Sequence, residues 1–443
     1  MSGVAVVGGG LAGITAALRC ADGGAEVTLY EAKSRLGGLT YSMRRGDLEV
    51  DNGQHVFLRC CTSYLALLDR LGVTDQVHLQ DRLDIPVMST WDTHRTRLRR
   101  TGLPAPAHLS GSLLRYRLLS PTQRLRFVRA ALALRSVDRD DPANDRRTFG
   151  DWLREHGQDA RTVQALWDLV GTATLNARAD GASLAQAAMV FQVGLLTEAA
   201  AADIGWSRVP LRRLHGDAAS AQLAAAGVKV NTATKVTGLS PGWSVATSTG
   251  THEFDQVILA VPPTATSALL PAGAVDVAPD FAVGLGSSPI VNVHIVLRRV
   301  VLTEPFVAVV GSPVQFVFDR TLSSGLVAGQ YLAVSISAAD ELIDRPVARI
   351  REPVLHDLGR VLGVRDSDVV DFFVTREREA TFRPGPGSRA LRPAALTRAP
   401  GLYLAGAWTD TGWPATMEGA VRSGDLAAQA VLERSATTAE VPT

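Results

Sequence analysis

Lysine is nearly missing from this sequence. Of 45 basic side chains in 443 residues only Lys33, Lys229 and Lys235 are lysines, an arginine bias we read as genome composition. Cysteine is scarce too: Cys20, Cys60 and Cys61 are odd in number, with two adjacent, and make neither a disulfide framework nor a metal-ligand spacing. We therefore expect a reducing, cytoplasmic setting and no metal. Long hydrophobic runs are lacking as well, since the longest charge-free apolar stretch, 257–275, carries Pro262, Pro263 and Pro271 and reads as a strand and a turn. No transmembrane helix is expected. A start without a basic segment, glycine-rich by Gly8, is not expected to be a signal peptide. Nor does one sign of charge dominate: the formal net charge of +1 argues against a general nucleic-acid binder.

What is present describes a globular protein, 46% hydrophobic and 20% charged, long enough for two or more structural units. Charge is unevenly spread, because residues 91–139 hold 11 Arg against 2 Asp, a local +9. Leucine and arginine interleave over 109–137, with a break near Pro121. Such a surface suits an anionic bilayer or, equally, a solvated helix face.

The first 31 residues read as a βαβ unit. Residues 4–7 suit a strand buried on both faces, 11–21 a helix, and 27–30 the next strand. Gly8, Gly10 and Gly13 between strand and helix form G-x-G-x-x-G: one glycine for the turn, one for close approach of backbone to a pyrophosphate, one for packing helix on strand. Leu11, Ala12 and Gly13 then open a helix whose N-terminus favours phosphate charge. Glu31 ends the second strand 18 residues after Gly13, where a carboxylate accepts ribose hydroxyls and repels a 2′-phosphate. NADP is thus disfavoured, Ala32 and Lys33 border the same site, and NAD and FAD both remain open.

Further along, 64–71 has helical spacing, 84–100 is strand-like, and 151–202 reads as a long Ala-rich helical region. A helix near 211–226 precedes strands at 228–230 and 256–260. Strand-like runs follow at 290–297, 306–310, 314–318 and 331–336, then a helix at 347–362 and a strand at 369–375. The last segment is a strand, 402–405, a loop, and a helix over 415–432. The tail after about Ser435 is expected to be disordered.

The run Arg35-Leu-Gly37-Gly38-Leu39-Thr40 resembles the R-x-G-G-R-x-x-T/S segment of the amine oxidase and phytoene desaturase superfamily, departing from it at Leu39, where that family has a second arginine. The resemblance implies FAD, with Arg35 or Thr40 taking over a phosphate contact. Residues 403–424, with Gly406, Ala407, Trp408, Asp410, Trp413, Thr416, Met417 and Gly424, again read as strand, glycine turn and helix. Backbone at Thr416 and Met417 would stabilise the negative edge of a reduced flavin. Asp410 is the expected substitute for the acidic residue that the family carries at Ala407. The implied architecture is an α/β fold: a Rossmann-like FAD-binding domain of the amine oxidase type, 1–75, 205–270 and 395–443, with an inserted α+β substrate domain, 76–204 and 271–394. Val236 is expected at the adenine, and Ala260, Val261 and Pro262 beside the dinucleotide.

Asp51-Asn-Gly53-Gln54-His55, the 289–294 and 311–319 runs, 374–378 and the W-T-D-T-G-x-P-A-T-M-E-G-A segment together resemble the hydroxysqualene dehydroxylases of bacterial squalene and hopanoid synthesis. The resemblance implies reduction of hydroxysqualene to squalene by reduced FAD, from an electron donor the residues do not name. Loss of an allylic hydroxyl needs a proton donor and a dry cavity. Gly53, Gln54 and His55 follow a strand toward the flavin, so His55 is the first candidate acid, Asp51 the second, with Gln54 beside them. His294 and Asp319 are read as strand structure that could also line the cavity. A carotenoid-type desaturase is the alternative, and an amine oxidase is weaker, since all three lysines sit in the nucleotide units and none is left for flavin N5. A flavin-binding module without turnover is the non-enzyme reading. The basic stretch and the insoluble substrate predict peripheral attachment to the inner face of the cell membrane.

Overall fold

The computed structural model describes residues 3–92 and 94–439. Five parallel strands form the first sheet, in the order Lys229–Asn231, Glu26–Tyr30, Gly3–Val7, Gln256–Leu259 and Leu402–Leu404. Val4, Ala5 and Val6 are fully buried, which explains an unbroken small or β-branched run rather than an alternating one. Hydrogen bonds continue one residue beyond the strands: Gly8 N–H donates to Tyr30, Ala260 to Val7, Ala405 to Leu259 and Glu31 to Asn231. Gly8, Ala260, Ala405–Gly406 and Glu31 therefore share the carboxyl edge, where open α/β sheets bind ligands.

Two helices lie together on this sheet, Leu11–Asp22 and Met417–Ala439. Gly424 makes their approach possible, since a Cβ there would sit 2.3 Å from the Ala12 carbonyl oxygen. An antiparallel three-stranded sheet, Val236–Ser240, Ser244–Thr247 and Gly250–Glu253, packs against the same domain. The alternation of Val and Thr with turn residues over this stretch is a hairpin signal that the sequence reading missed.

The second large sheet has seven strands, ordered Val369–Thr381, Ser288–Leu297, Gln330–Ile336, Phe316–Asp319, Phe306–Val310, Asp84–Ser89 and Arg95–Arg99. All neighbours are antiparallel except Phe306–Val310 with Asp84–Ser89. Its core is aliphatic, with Val291, Val293, Val317, Leu332 and Val334 buried beneath the Val347–Leu362 helix. A small sheet, Val56–Leu58, Ile204–Ser207 and Val77–Leu79, joins the two large ones.

The 151–202 region is largely helical as expected, built as a series of helices, Phe149–Glu155, Asp168–Leu175 and Leu184–Phe191 among them, separated at Gly157 (φ 69°) and at Asn176 (φ 54°). Asn176 ends its helix in the left-handed region and its amide donates to the Ser288 carbonyl and the Thr381 hydroxyl, so a tertiary contact stops the run. The C-terminal helix continues to Ala439, past the expected disorder after Ser435; the last part of that expectation, 440–443, lies outside the described residues. Among the described residues no helix is long and apolar enough to cross a membrane.

Candidate flavin and substrate site

The glycines of the first turn are dictated by close contact. A Cβ at Gly8 (φ 113°) would lie 2.4 Å from the Ala260 carbonyl oxygen, and one at Gly13 only 1.8 Å from that of Gly8. Gly38 (φ 57°) meets Gly10 the same way, at 2.9 Å from its Cα. The Arg35–Thr40 turn thus closes over the first loop, and Gly37 N–H donates to the Gly9 carbonyl at 2.9 Å.

Leu11, Ala12 and Gly13 are buried, yet their helix begins at Gly10 with no side-chain cap and no acidic residue in its first turn. A buried helix start with no cap, facing glycine backbone, is chemically suited to a pyrophosphate. Glu31 draws the loop together: Oε2 accepts from Gly9 N–H at 2.7 Å and Oε1 from Lys33 N–H at 2.7 Å. Each oxygen retains a second acceptor position for a ribose hydroxyl. Lys33 and Glu31 are tied through their carbonyls to Ala233 and Thr234, which brings Val236, buried at the start of its strand, beside the same loop. Ala32 and Lys33 are exposed at the rim. These residues fit an FAD dinucleotide.

Two of the expected contacts are redirected. Thr40 Oγ1 donates to the Gly37 carbonyl at 2.7 Å, so its proton holds the turn rather than a phosphate. Asp410 accepts from Gly412 N–H at 3.3 Å and faces Arg389 at 3.8 Å, committing it to its own turn and to the surface. Leu39 is 48% exposed beside the Gly10–Gly38 contact. Arg35 stays near, donating to the Gly38 carbonyl at 2.9 Å with its guanidinium 3.6 Å from the Tyr41 ring centre.

At the other end, the Thr416 hydroxyl accepts from Gly419 N–H at 3.1 Å and caps the last helix, whose Ser423 hydroxyl accepts from Gly406 N–H at 2.7 Å. Pro262 precedes the Pro263–Leu269 helix. Trp408 is core, 6% exposed, stacked on Phe281 and donating Nε1–H to the Val261 carbonyl at 3.1 Å. Arg392 went unnoticed in the sequence because nothing around it repeats. It is buried and donates to the Ala407, Trp408, Thr409 and Trp413 carbonyls, stapling the whole turn. Burial pushes its guanidinium down to about 10.

The candidate catalytic residues meet beside residues of the small sheet and of the seven-stranded one. Asp51, Gln54, His55, Val56, Trp206, Ser207, Leu211, Phe318 and Arg320 line a small pocket. Gly53, just before Gln54, packs on Asn292, since a Cβ there would be 2.9 Å from the Asn292 amide nitrogen. His55 Nδ1 lies 3.3 Å from the Gly53 carbonyl, which only accepts, so the neutral ring carries its proton on Nδ1 and leaves Nε2 as an acceptor. Burial pushes the imidazole below its ordinary value, against the Gly53 bond and the charge of Asp51. A neutral imidazole is a poor standing acid, so the geometry favours His55 as a hydrogen-bond and proton acceptor.

Asp51 is also redirected. Oδ1 accepts from the Ser42 hydroxyl at 2.6 Å and Leu211 N–H at 2.9 Å, and Oδ2 from Arg320 Nη2 at 2.9 Å. Its oxygens serve as acceptors, so it anchors Arg320 rather than offering a proton. His294 is locked between the Tyr331 hydroxyl (2.7 Å) and Thr375 (2.9 Å), and Asp319 accepts from Thr321 N–H and Gln330; both are strand structure. The three lysines are exposed and none lines the pocket.

Comparison with known proteins places this geometry. The chain is 29% identical to the hydroxysqualene dehydroxylase of Rhodopseudomonas palustris over 97% of its own length and 98% of that protein. It is 26% identical to that of Zymomonas mobilis over 98% and 100%. Cyclohexylamine oxidase from Brevibacterium oxydans shares the fold, with a TM-score of 0.73 at 18% identity over 98% of this chain and 99% of that one. The profile described as flavin containing amine oxidoreductase matches residues 11–432. With that match over nearly the whole length, and a glycine cradle suited to the dinucleotide, the chain belongs to the flavin containing amine oxidoreductase family, with FAD as its cofactor.

Proposed function

We propose that the chain reduces hydroxysqualene to squalene. The observation that carries this reading is the end-to-end likeness to two proteins named for that activity. In the net change an alcohol, a hydride equivalent and a proton give a hydrocarbon and water: a C–O bond breaks, a C–H bond forms, and FAD bound in its reduced form supplies the hydride. The chain's residues orient the oxygen and keep water out. The pocket serves this, being polar where Arg320, Gln54 and His55 meet and apolar at Val56, Trp206 and Phe318. Incubating the holoenzyme anaerobically with dithionite and hydroxysqualene should give squalene by mass spectrometry. Absence of squalene with FAD fully bound and reduced would refute the reading.

The same proposal includes attachment to an anionic membrane surface. On the Pro121–Leu134 helix Leu125, Val128 and Leu132, spaced three and four apart, form an outward ridge at 52%, 38% and 46% exposure. Arg126 and Arg129 flank the ridge, and Leu114, 77% exposed, continues it toward exposed Arg115 and Arg117. Arg124 is excluded, since it donates to the Leu113 and Leu114 carbonyls. Arg97, Arg99 and Arg100 are also spent on Asp84, Glu304 and Asp203. An apolar ridge rimmed by cations suits a substrate dissolved in lipid.

A further inference from the structure

Arg320, one residue beyond the 311–319 run, is a buried cation that no motif in the sequence marks. It is 7% exposed, and three of its contacts fix it completely: Nη1 to the Ser207 carbonyl at 2.6 Å, Nη2 to Asp51 at 2.9 Å and Nη2 to the Val209 carbonyl at 3.3 Å. Its Nε is buried with no hydrogen-bond partner. A charged donor left unpaired in the interior costs free energy unless a ligand completes it. The pocket Arg320 lines has room for about one water-sized group. Arg320, whose Nε–H is unpaired, and His55, whose tautomer leaves an acceptor, both line that space. One donor and one acceptor are the complement of a hydroxyl, which accepts one hydrogen bond and donates another.

We propose that this pocket is the hydroxyl-binding site of the protein, with Arg320 Nε–H donating to the oxygen of an isoprenoid alcohol and His55 accepting the hydrogen of that hydroxyl. Asp51 and Ser42 are positioning residues, holding the guanidinium in one orientation from behind. The site thereby sets specificity for an alcohol over the corresponding hydrocarbon, because a hydrocarbon leaves Arg320 unpaired. The same oxygen leaves as water in the proposed reaction, and the pocket is of a size to hold it. This inference deepens the dehydroxylase reading and rests on it for the choice of alcohol.

The test is binding to the oxidised holoenzyme, read from flavin difference spectra, with two matched pairs: hydroxysqualene against squalene, and farnesol against farnesene. Wild type should bind each alcohol about tenfold or more tightly than its hydrocarbon, the scale of a hydrogen bond to a charged group. Arg320→Lys retains a cation for Asp51 but lacks the Nε donor, and should bring both ratios close to one with hydrocarbon binding unchanged. Val56→Phe, which takes up pocket space and spares the ion pair, should likewise bring both ratios close to one and serves if the lysine variant does not fold. A folded, FAD-loaded variant that retains the alcohol preference overturns the proposal, as does a wild type without one. If the farnesol preference is present and lost on substitution while hydroxysqualene is not turned over, the hydroxyl site stands and the dehydroxylase reading falls. Turnover of hydroxysqualene with no effect of either variant on the ratios would overturn the hydroxyl site alone.

Discussion

At the scale of single residues, the molecule puts charge into its interior only where backbone groups need it. Glu418 is 1% exposed and reaches from the last helix to the start of another, Thr62–Arg70, where its oxygens accept from Ser63 N–H at 3.2 Å and Tyr64 N–H at 2.7 Å. Cys61 offers that helix no side-chain cap, so Glu418 caps it from a distance. Glu418→Gln should cost about 2 kcal/mol, checked by urea unfolding, and no loss would show the cap to be dispensable. His55→Ala should bind FAD normally yet slow hydroxysqualene turnover at least tenfold; near-normal turnover would remove His55 from the site. The sequence made His55, Asp51 and Gln54 legible as neighbours, because a short glycine-containing turn after a strand fixes them together. It left Arg320, Arg392 and Glu418 illegible, since each works through contacts with residues far away in the chain, and the proton roles of His55 and Asp51 depend on burial and partners that it does not show.

At the scale of elements, legibility followed the strength of local constraint. Gly8, Gly10, Gly13 and Glu31 could be read because the turn between a buried strand and a helix has few chemical solutions. The helical character of 151–202 could be read as well, but not its breaks, because alanine and leucine fit a long helix as well as a broken one, and Asn176 sets one break through Ser288 and Thr381. Gly38→Ala should lower bound flavin severalfold, read as the ratio of flavin to protein absorbance, because it combines a positive φ with a Cβ 2.9 Å from Gly10. Unchanged flavin content would show that the Gly10–Gly38 contact yields without harm. On the Pro121–Leu134 helix and the segment just before it, reversing Arg126 and Arg129 together with Arg115 and Arg117 to Glu should abolish sedimentation with phosphatidylserine vesicles, since each cation near such a surface contributes about 1 kcal/mol. Binding that survives the reversal would return this face to ordinary solvated helix.

At the scale of the whole molecule, two requirements meet: an α/β sheet whose carboxyl edge suits the dinucleotide, and a second sheet whose Phe318 lines the candidate pocket. Two histidines are buried and stay neutral, His294 within the second sheet and His215 against the Thr62–Arg70 helix. Burial pushes His215, bonded to the Tyr64 hydroxyl, and His294 each down to about 3. The unfolded chain binds these protons near pH 6.5 and the folded one does not, so stability is lost as pH falls below about 6.5, by at most about 1.4 kcal/mol per pH unit for each group. The melting temperature should therefore drop steadily from pH 6.5 to 5, and a flat profile would show that these groups find solvent or partners when protonated.

The central claim is that reduced flavin in this fold passes a hydride to an isoprenoid alcohol. The direct measurement is one turnover: photoreduce the holoenzyme anaerobically, mix with hydroxysqualene or phytoene, and follow flavin absorbance while assaying squalene. Reoxidation by hydroxysqualene with one squalene formed per flavin is the predicted result. Flavin that stays reduced with hydroxysqualene, or oxidised flavin that is instead reduced by phytoene, would contradict it.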